Sequence, residues 1–292
     1  MPEDRSAAIA VTGASGGVGS RVIRDLLARA DPPSVVALAR RPGAVPERPH
    51  LTVRVADYDD PPTLRDAFTH VRTLVFISSD GVAETMGRHH EHVVEAAIDA
   101  GIDHVVYTSI VDVSPDSGFY YATVHRGTEA LLTGSGLRLC LARTSIFADF
   151  FVSTWVAPAL LRGVLALPTG DGRMSLVTRD DAARALAIAA VTHREGIIEL
   201  TGPEALTASE ATEITASVTG RPIRHQALDE KTYRRELLDG GTPDWLIEAF
   251  TSMFASVREG RFAVISMDGP ELTGQPQQPY AEFIRTAGLE PA

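Results

Sequence analysis

Apolar residues alternate along the first half of this chain between short β-rich runs and longer stretches with helical spacing. The runs predict strands at 7–11, 34–39, 51–56, 73–77, 104–108 and 138–142. The spaced stretches predict helices at 18–30, 61–68, 84–100 and 120–133. This alternation predicts a doubly wound α/β fold of the Rossmann type, in which a parallel sheet is covered on both faces.

The alternation is looser after residue 145. It predicts a helix at 147–161, a strand at 175–177, and further helices and strands that include a capping box at Thr207–Glu210. We therefore predict that residues 1–145 are the cofactor-binding core. Residues 146–292 are mainly a small C-terminal α/β substrate subdomain, partly interwoven with the core.

A glycine-rich turn lies between the first predicted strand and the first helix. Glycines at G-x-x-G-x-x-G spacing there suit a tight turn, close approach to a pyrophosphate and close packing of helix on strand. The alternative is a flexible turn without a ligand. We expect this turn to bind a dinucleotide through Gly13, Ser15, Gly16, Gly17, Val18 and Gly19.

The second predicted strand ends in two arginines, Arg40 and Arg41. An acidic residue at this place would bind the ribose hydroxyls of NAD(H), whereas the arginine guanidinium suits a 2′-phosphate. The sequence therefore favours NADP(H) over NAD(H), the alternative being solvated surface arginines.

Polar residues also follow the third and fourth predicted strands. Asp57, beside Tyr58, is placed where an adenine amino group could donate to a carboxylate. Ser78 and Ser79 follow the fourth strand, where we expect the ribose on the nicotinamide side.

The composition narrows the range of partners. Arg plus Lys gives 27 and Asp plus Glu gives 38, a net charge of −11 that argues against binding to nucleic acid or an anionic membrane. The single cysteine excludes an intramolecular disulfide, and no long apolar run predicts a membrane span. We expect a cytoplasmic monomer or homodimer.

Motifs spread along nearly the whole chain resemble the atypical NmrA-like branch of the short-chain dehydrogenase/reductase superfamily. They are the glycine turn, His125-Arg-Gly-Thr-Glu129, Arg143 with Phe147, Asp180-Asp181-Ala-Ala183, Thr201-Gly-Pro-Glu-Ala-Leu-Thr207 and Thr219-Gly-Arg-Pro222. The resemblance implies an NADP-binding core with a C-terminal substrate subdomain. Members of the branch include quinone reductases, a dye reductase and non-catalytic redox sensors.

The superfamily's main branch uses a Tyr-x-x-x-Lys pair and a serine after the fifth strand. Here the only lysine is Lys231, so Tyr121 and His125 fill the pair and Ser109 is the serine. A neutral imidazole can bond a ribose hydroxyl but supplies little of the charge that lowers the pKa of a phenol. These three residues are the candidate catalytic group, the alternative being a helix that only packs on the cofactor.

Aromatic residues cluster near the predicted helix at 147–161 and form the candidate substrate pocket, either as a wall for a flat substrate or as a core stripe. They are Phe147, Phe150, Phe151 and Trp155, and Tyr120, at the start of the predicted helix at 120–133, completes the candidate pocket. The segment His89-His-Glu-His92 has metal-binding residue types, but no further ligands at a suitable spacing, so we predict a solvated helical turn and no metal.

Together these features predict an NADPH-dependent reductase that transfers hydride to a small quinonoid, aromatic or conjugated acceptor. The alternative is an NADP(H) sensor that acts through a protein partner.

Overall fold

The computed structural model describes residues 8–46 and 48–289. Its strands are β1 Ala8–Val11, β2 Val35–Ala39, β3 Leu51–Val55, β4 Val71–Phe76, β5 His104–Ile110, β6 Arg138–Thr144, β7 Val164–Leu167, β8 Arg173–Met174, β9 Gly196–Leu200, β10 Leu206–Thr207 and β11 Arg224–Ala227. Its α-helices are α1 Gly19–Leu27, α2 Pro61–Ala67, α3 Ala83–Asp99, α4 Ala122–Gly134, α5 Ala148–Phe151, α6 Ala157–Arg162, α7 Arg179–Thr192, α8 Ala208–Thr219, α9 Glu230–Asp239, α10 Asp244–Arg258, α11 Asp268–Thr273 and α12 Tyr280–Thr286.

Seven strands form one parallel sheet in the order β3-β2-β1-β4-β5-β6-β9. Strands β2 and β5 are buried along nearly their whole length, as a sheet covered on both faces requires. The chain leaves β1 toward β2 on one side and later returns to β4 on the other. Ligands of doubly wound folds bind at such a reversal, beyond the carboxyl ends of the strands. The predicted Rossmann-type fold is confirmed.

The sequence was misleading in the region 147–177. The predicted single helix is divided into α5 and α6 by a π-helical turn, Val152–Val156, in which the amide of Ala157 donates to the carbonyl of Val152. No strand runs through 175–177, where Val177 forms only an isolated parallel bridge with Phe147. Ser175 donates from its amide to Phe262 and accepts at its carbonyl from Gly202, so its backbone groups bond to residues outside any strand ladder. The short strand β8 lies just before it and pairs with β10.

The contacts divide the chain into two compact units. The first contains the described residues up to Ser109, Val124–Arg143 and Ala182–Ile198. The second contains Ile110–Thr123, Thr144–Asp181 and the described residues from Glu199 onward. The assignment of 1–145 as the cofactor core and 146–292 as mainly a substrate cap stays a prediction about function.

Each unit has its own apolar core. In the first unit, alternate strand residues such as Leu74, Phe76 and Tyr107 pack with Phe68 and residues of α3.

None of the helices in 8–46 and 48–289 combines the length and apolar character needed to cross a membrane.

Candidate cofactor-binding and active site

The glycine turn has the geometry that its spacing predicted. Gly13 has a φ of +58°, a conformation that other residues rarely adopt. A Cβ atom added to Gly19 would lie 2.3 Å from the carbonyl oxygen of Gly13, so only glycine lets α1 begin this close to the turn. The side chain of Val18 is buried.

The hydroxyl of Thr12 joins the two strands at the reversal of the sheet. Its oxygen accepts a hydrogen bond from the amide of Ile77 at 2.8 Å and lies 3.2 Å from the carbonyl of Ile77, to which it donates. Thr12 therefore fixes the ends of β1 and β4 relative to each other. Sequence reasoning did not select this residue.

The loop after β4 is held by two buried side chains. The amide of Ser78 donates to the hydroxyl of Thr108 at 2.8 Å, and the amide of Ser79 donates to Nε2 of His90 at 3.2 Å. Within the described residues, the hydroxyl of Ser79 is buried without a hydrogen-bond partner. A buried polar group without a partner is costly, and a ribose hydroxyl would satisfy it. This group and the glycine turn both fit a bound dinucleotide.

The residues after β2 and β3 lie at the same edge of the sheet, where the amide of Ala56 donates to the carbonyl of Ala39. Arg40 and Arg41 are exposed there. Burial raises the pKa of Tyr58 to about 12, although the charge of Arg40 acts in the opposite direction. Arg40 and Tyr58 follow the neighbouring strands β2 and β3.

A cavity of about 380 Å³ lies beside the glycine turn. Its lining includes Ser15 and three arginines that sequence reasoning did not select, Arg21, Arg24 and Arg48. The guanidinium of Arg21 donates to the carbonyl of Gly17 at 2.7 Å, which ties this charge to the turn. The positive charge around the turn favours an anionic ligand.

His125, at the start of α4, is buried and contacts β5. Its Nδ1 lies 2.8 Å from the hydroxyl of Tyr107, and only 4% of the residue is exposed. Burial lowers the pKa of His125 to about 3, so the imidazole is neutral at neutral pH. Tyr121 comes one residue before α4 and belongs to the second unit, where its ring contacts those of Phe119 and Tyr120.

The hydroxyl of Ser109 is already used in a buried network. It donates to the carboxylate of Glu129 at 2.6 Å, and Arg143 binds both oxygens of that carboxylate, at 3.0 and 2.7 Å. Ser109 would have to give up this bond to donate elsewhere. Its catalytic role stays a prediction.

The aromatic residues of the second unit divide by exposure. Phe151 is fully buried and Trp155 nearly so, as in a core stripe, while Phe150 is half-buried. The rings of Phe150 and Trp155 also contact Phe250, which sequence reasoning missed. The guanidinium of Arg179 lies over the ring of Phe147.

The histidines of 89–92 point to different partners. His89 pairs with Asp59, His92 bonds to the carbonyl of Tyr58, and His90 is fully buried. A solvated turn was therefore the wrong interpretation for His90. Within the described ranges, no group of three or more His, Cys, Asp or Glu residues could hold a metal ion.

Residues 13–194 match the family model described as NAD(P)H-binding. The chain belongs to this family. It is 31% identical over 283 residues to quinone oxidoreductase 2 of Escherichia coli K12, covering 94% of this chain and 97% of that protein. The predicted oxidoreductase class and the NmrA-like relationship are confirmed.

Two solved structures from the family show the same architecture. An NADPH complex of an NADPH-dependent quinone oxidoreductase from Escherichia coli has a TM-score of 0.88 and 29% identity, over 95% of this chain and 99% of that one. The triphenylmethane reductase of Citrobacter sp. with NADP(H) has a TM-score of 0.85 and 28% identity, over 96% and 99% of the chains.

Proposed function

We propose that this protein is an NADPH-dependent reductase that transfers a hydride to a small quinonoid or conjugated aromatic acceptor. The observation that carries this proposal is the state of two of the three candidate catalytic residues, His125 and Ser109. His125 is neutral, and the hydroxyl of Ser109 donates to Glu129. A quinone delocalises the charge that it gains with a hydride and can then take its proton from water, whereas a simple ketone needs a positioned acid.

The relatives support the same class of acceptor. The Escherichia coli protein is named as a quinone oxidoreductase, and the Citrobacter protein as a reductase of triphenylmethane dyes. Quinones and triphenylmethane dyes are both conjugated molecules with planar rings. The half-buried rings of Phe150 and Phe250 would suit such a molecule in this chain.

Different site residues would bind different parts of the cofactor. The glycine turn would hold the pyrophosphate, Arg40 and Arg41 the 2′-phosphate, and Ser78 and Ser79 the ribose beside the nicotinamide. Asp57 would bind the adenine, and His125 would bond a ribose hydroxyl. When bound, NADPH would supply the hydride and be oxidised to NADP⁺. With one proton from water, the quinone would become a hydroquinone.

We expect hydride transfer to simple quinones and conjugated carbonyls, and negligible transfer to unactivated ketones. The measurement is an anaerobic single-turnover assay with NADPH bound beforehand, in which the absorbance of the reduced nicotinamide is followed after mixing with each acceptor.

In the corresponding steady-state assay Phe150→Ala should raise KM for aromatic acceptors more than for small aliphatic ones, because only the former would stack on the ring.

The matched variant is Phe151→Ala, one residue along the same helix. The substitution removes a fully buried ring, so it should lower the free energy of unfolding by about 3–5 kcal/mol. The ratio of KM values for aromatic and aliphatic acceptors should change less than it does in Phe150→Ala. Tight NADPH binding without hydride transfer to any acceptor would contradict the proposed reductase activity. It would favour the alternative, an NADP(H) sensor that acts through a protein partner.

We expect NADPH to bind more tightly than NADH, and Arg40→Asp to remove the preference. A hydrogen bond to a charged group contributes about 1.5–3 kcal/mol, so the NADPH dissociation constant should rise by about tenfold to 100-fold while that for NADH changes little. Calorimetric titration with each nucleotide measures the two dissociation constants.

Arg29→Asp is the control for the change of charge. Arg29 is exposed just beyond the carboxyl end of α1, which in a βαβ unit lies at the other edge of the sheet. Arg29→Asp should leave the dissociation constants for NADPH and NADH within about twofold of those of the unmodified protein. Equal affinity of the unmodified protein for NADPH and NADH would contradict the assignment of Arg40.

A further inference from the structure

The first unit contains a buried polar cluster between β5 and the helices α3 and α4. It consists of His90, Tyr107, His125 and Thr128, all at most 4% exposed. The ring centroids lie 5.8 Å apart for His90 and Tyr107 and 5.9 Å apart for Tyr107 and His125. The hydrogen bonds in this cluster determine where each proton lies.

The amide of Ser79 fixes the tautomer of His90. This amide can only donate, so Nε2 of His90 is the acceptor and carries no hydrogen. Burial lowers the pKa of His90 to about 3, so the ring is neutral and its one hydrogen is on Nδ1. Nδ1 lies 2.8 Å from the hydroxyl oxygen of Thr128, which gives its own hydrogen to the carbonyl of Val124 and can therefore accept.

The tautomer of His90 in turn directs the hydroxyl of Tyr107. Burial raises the pKa of Tyr107 far above its ordinary value, so the hydroxyl keeps its proton. Two ring nitrogens lie within hydrogen-bond distance of its oxygen, Nδ1 of His90 at 3.4 Å and Nδ1 of His125 at 2.8 Å. The first carries a hydrogen, so of these two only Nδ1 of His125 can accept.

We propose that Tyr107 is a positioning residue that holds His125 in the tautomer with its hydrogen on Nε2. Because Nδ1 of His90 carries a hydrogen, Nδ1 of His125, at 2.8 Å, is the ring nitrogen toward which the hydroxyl of Tyr107 donates. The Nε2–H group is then a fixed neutral donor at the position where the main branch of the superfamily has lysine. That it donates to a ribose hydroxyl of NADPH rests on the proposed function. The same His90 also holds Ser79, so one network positions two predicted ribose contacts.

Two other histidines provide internal references for a test by NMR. Nε2 of His104 lies 2.8 Å from the carbonyl of Arg194, and Nδ1 of His92 lies 2.6 Å from the carbonyl of Tyr58. A carbonyl only accepts, so in its neutral form His104 carries its hydrogen on Nε2 and His92 carries its hydrogen on Nδ1.

The experiment records long-range ¹H–¹⁵N correlations of the imidazoles in the full chain near pH 8, without ligand. We expect His125 to show the pattern of His104, and His90 the pattern of His92. In Tyr107→Phe, His125 should change toward a mixture of tautomers while His90 keeps its pattern. His125 with the pattern of His92 in the unmodified protein overturns the proposal, even if the variant does not fold. An unchanged His125 pattern in folded Tyr107→Phe protein also overturns the proposal.

NADPH affinity supplies the second readout. Tyr107→Phe should raise the NADPH dissociation constant about three- to tenfold, the loss of one hydrogen bond. The matched control is Tyr280→Phe, which removes another buried tyrosine hydroxyl, bonded to Thr215 at 3.1 Å in the second unit. It should leave NADPH affinity and the spectrum of His125 unchanged. Equal effects of the two variants on affinity would mean a general structural role and overturn the proposal.

The two proposals can fail separately. If NADPH binds and the imidazole patterns are as expected, but no acceptor takes a hydride, the reductase is wrong and the positioning role stands. If hydride transfer is found while His125 carries its hydrogen on Nδ1, the reductase stands and the positioning role is wrong.

Discussion

Gly19→Ala is expected to weaken NADPH binding by at least about 100-fold, because a pyrophosphate depends on several backbone donors that each contribute about 1.5–3 kcal/mol. The added Cβ would lie 2.3 Å from the carbonyl oxygen and 2.8 Å from the carbonyl carbon of Gly13. Both atoms belong to the backbone, so the turn itself has to move. The amides at the start of α1 would then no longer converge on one anion. Titration followed by nucleotide fluorescence measures the change.

Gly87→Ala makes the same chemical change without the collision. Gly87 lies within α3, and nothing is within 4 Å of the position of its Cβ. This variant should bind NADPH normally and be more stable by about 0.5–1 kcal/mol, since alanine favours a helix. A folded Gly19→Ala protein that keeps its NADPH affinity would falsify the placement of the pyrophosphate.

The second large effect is a loss of stability in mild acid. Burial lowers the pKa of both His90 and His125 to about 3, from an ordinary value of 6.5. The unfolded chain therefore binds a proton at each histidine below about pH 6.5, while the folded protein does so only near pH 3. Their stabilising contribution is complete above pH 6.5 and falls with decreasing pH, by about 1.4 kcal/mol per pH unit for each histidine.

Between pH 7 and pH 5, denaturant unfolding should show a loss of about 4 kcal/mol from these two residues together. Replacing either one, as His90→Gln or His125→Gln, should remove about half of this pH dependence, even if the variant is less stable at pH 7. His70→Asn is the control, because His70 is exposed and has a positive φ that asparagine tolerates. Parallel stability curves for the unmodified protein and both glutamine variants would contradict the burial of a neutral imidazole pair.

The features that could be predicted from the sequence depend on residues close together along the chain. The glycine turn spans seven residues, and the capping box of α8 spans four, with Glu210 and Thr207 bonded to each other as expected. The division of the predicted helix at 147–161 was not visible, because a π turn adds one residue to a helical turn without any change in apolar character.

The buried network around His125 shows what sequence reasoning missed and why. Tyr107 looked like one more apolar residue of a buried strand, and His90 like part of a solvated histidine segment. Their partners lie far along the chain: Tyr107 is 18 residues from His125, and His90 is 38 residues from Thr128. Only a buried ring together with a donor or acceptor of known direction assigns a tautomer, and neither is visible in a single sequence.

Local patterns in the chain were sufficient for the sheet class, the position of the glycine turn and the absence of a lysine from the candidate catalytic residues, because alternation, glycine spacing and composition can be read without a fold. The chemical state of the side chains became visible only in the folded protein. Folding gave Ser109 a carboxylate partner, placed Phe151 in the core, and made His125 neutral with Tyr107 as its partner. These properties depend on folding because pKa values and hydrogen-bond directions are set by burial and by neighbours that are distant along the chain.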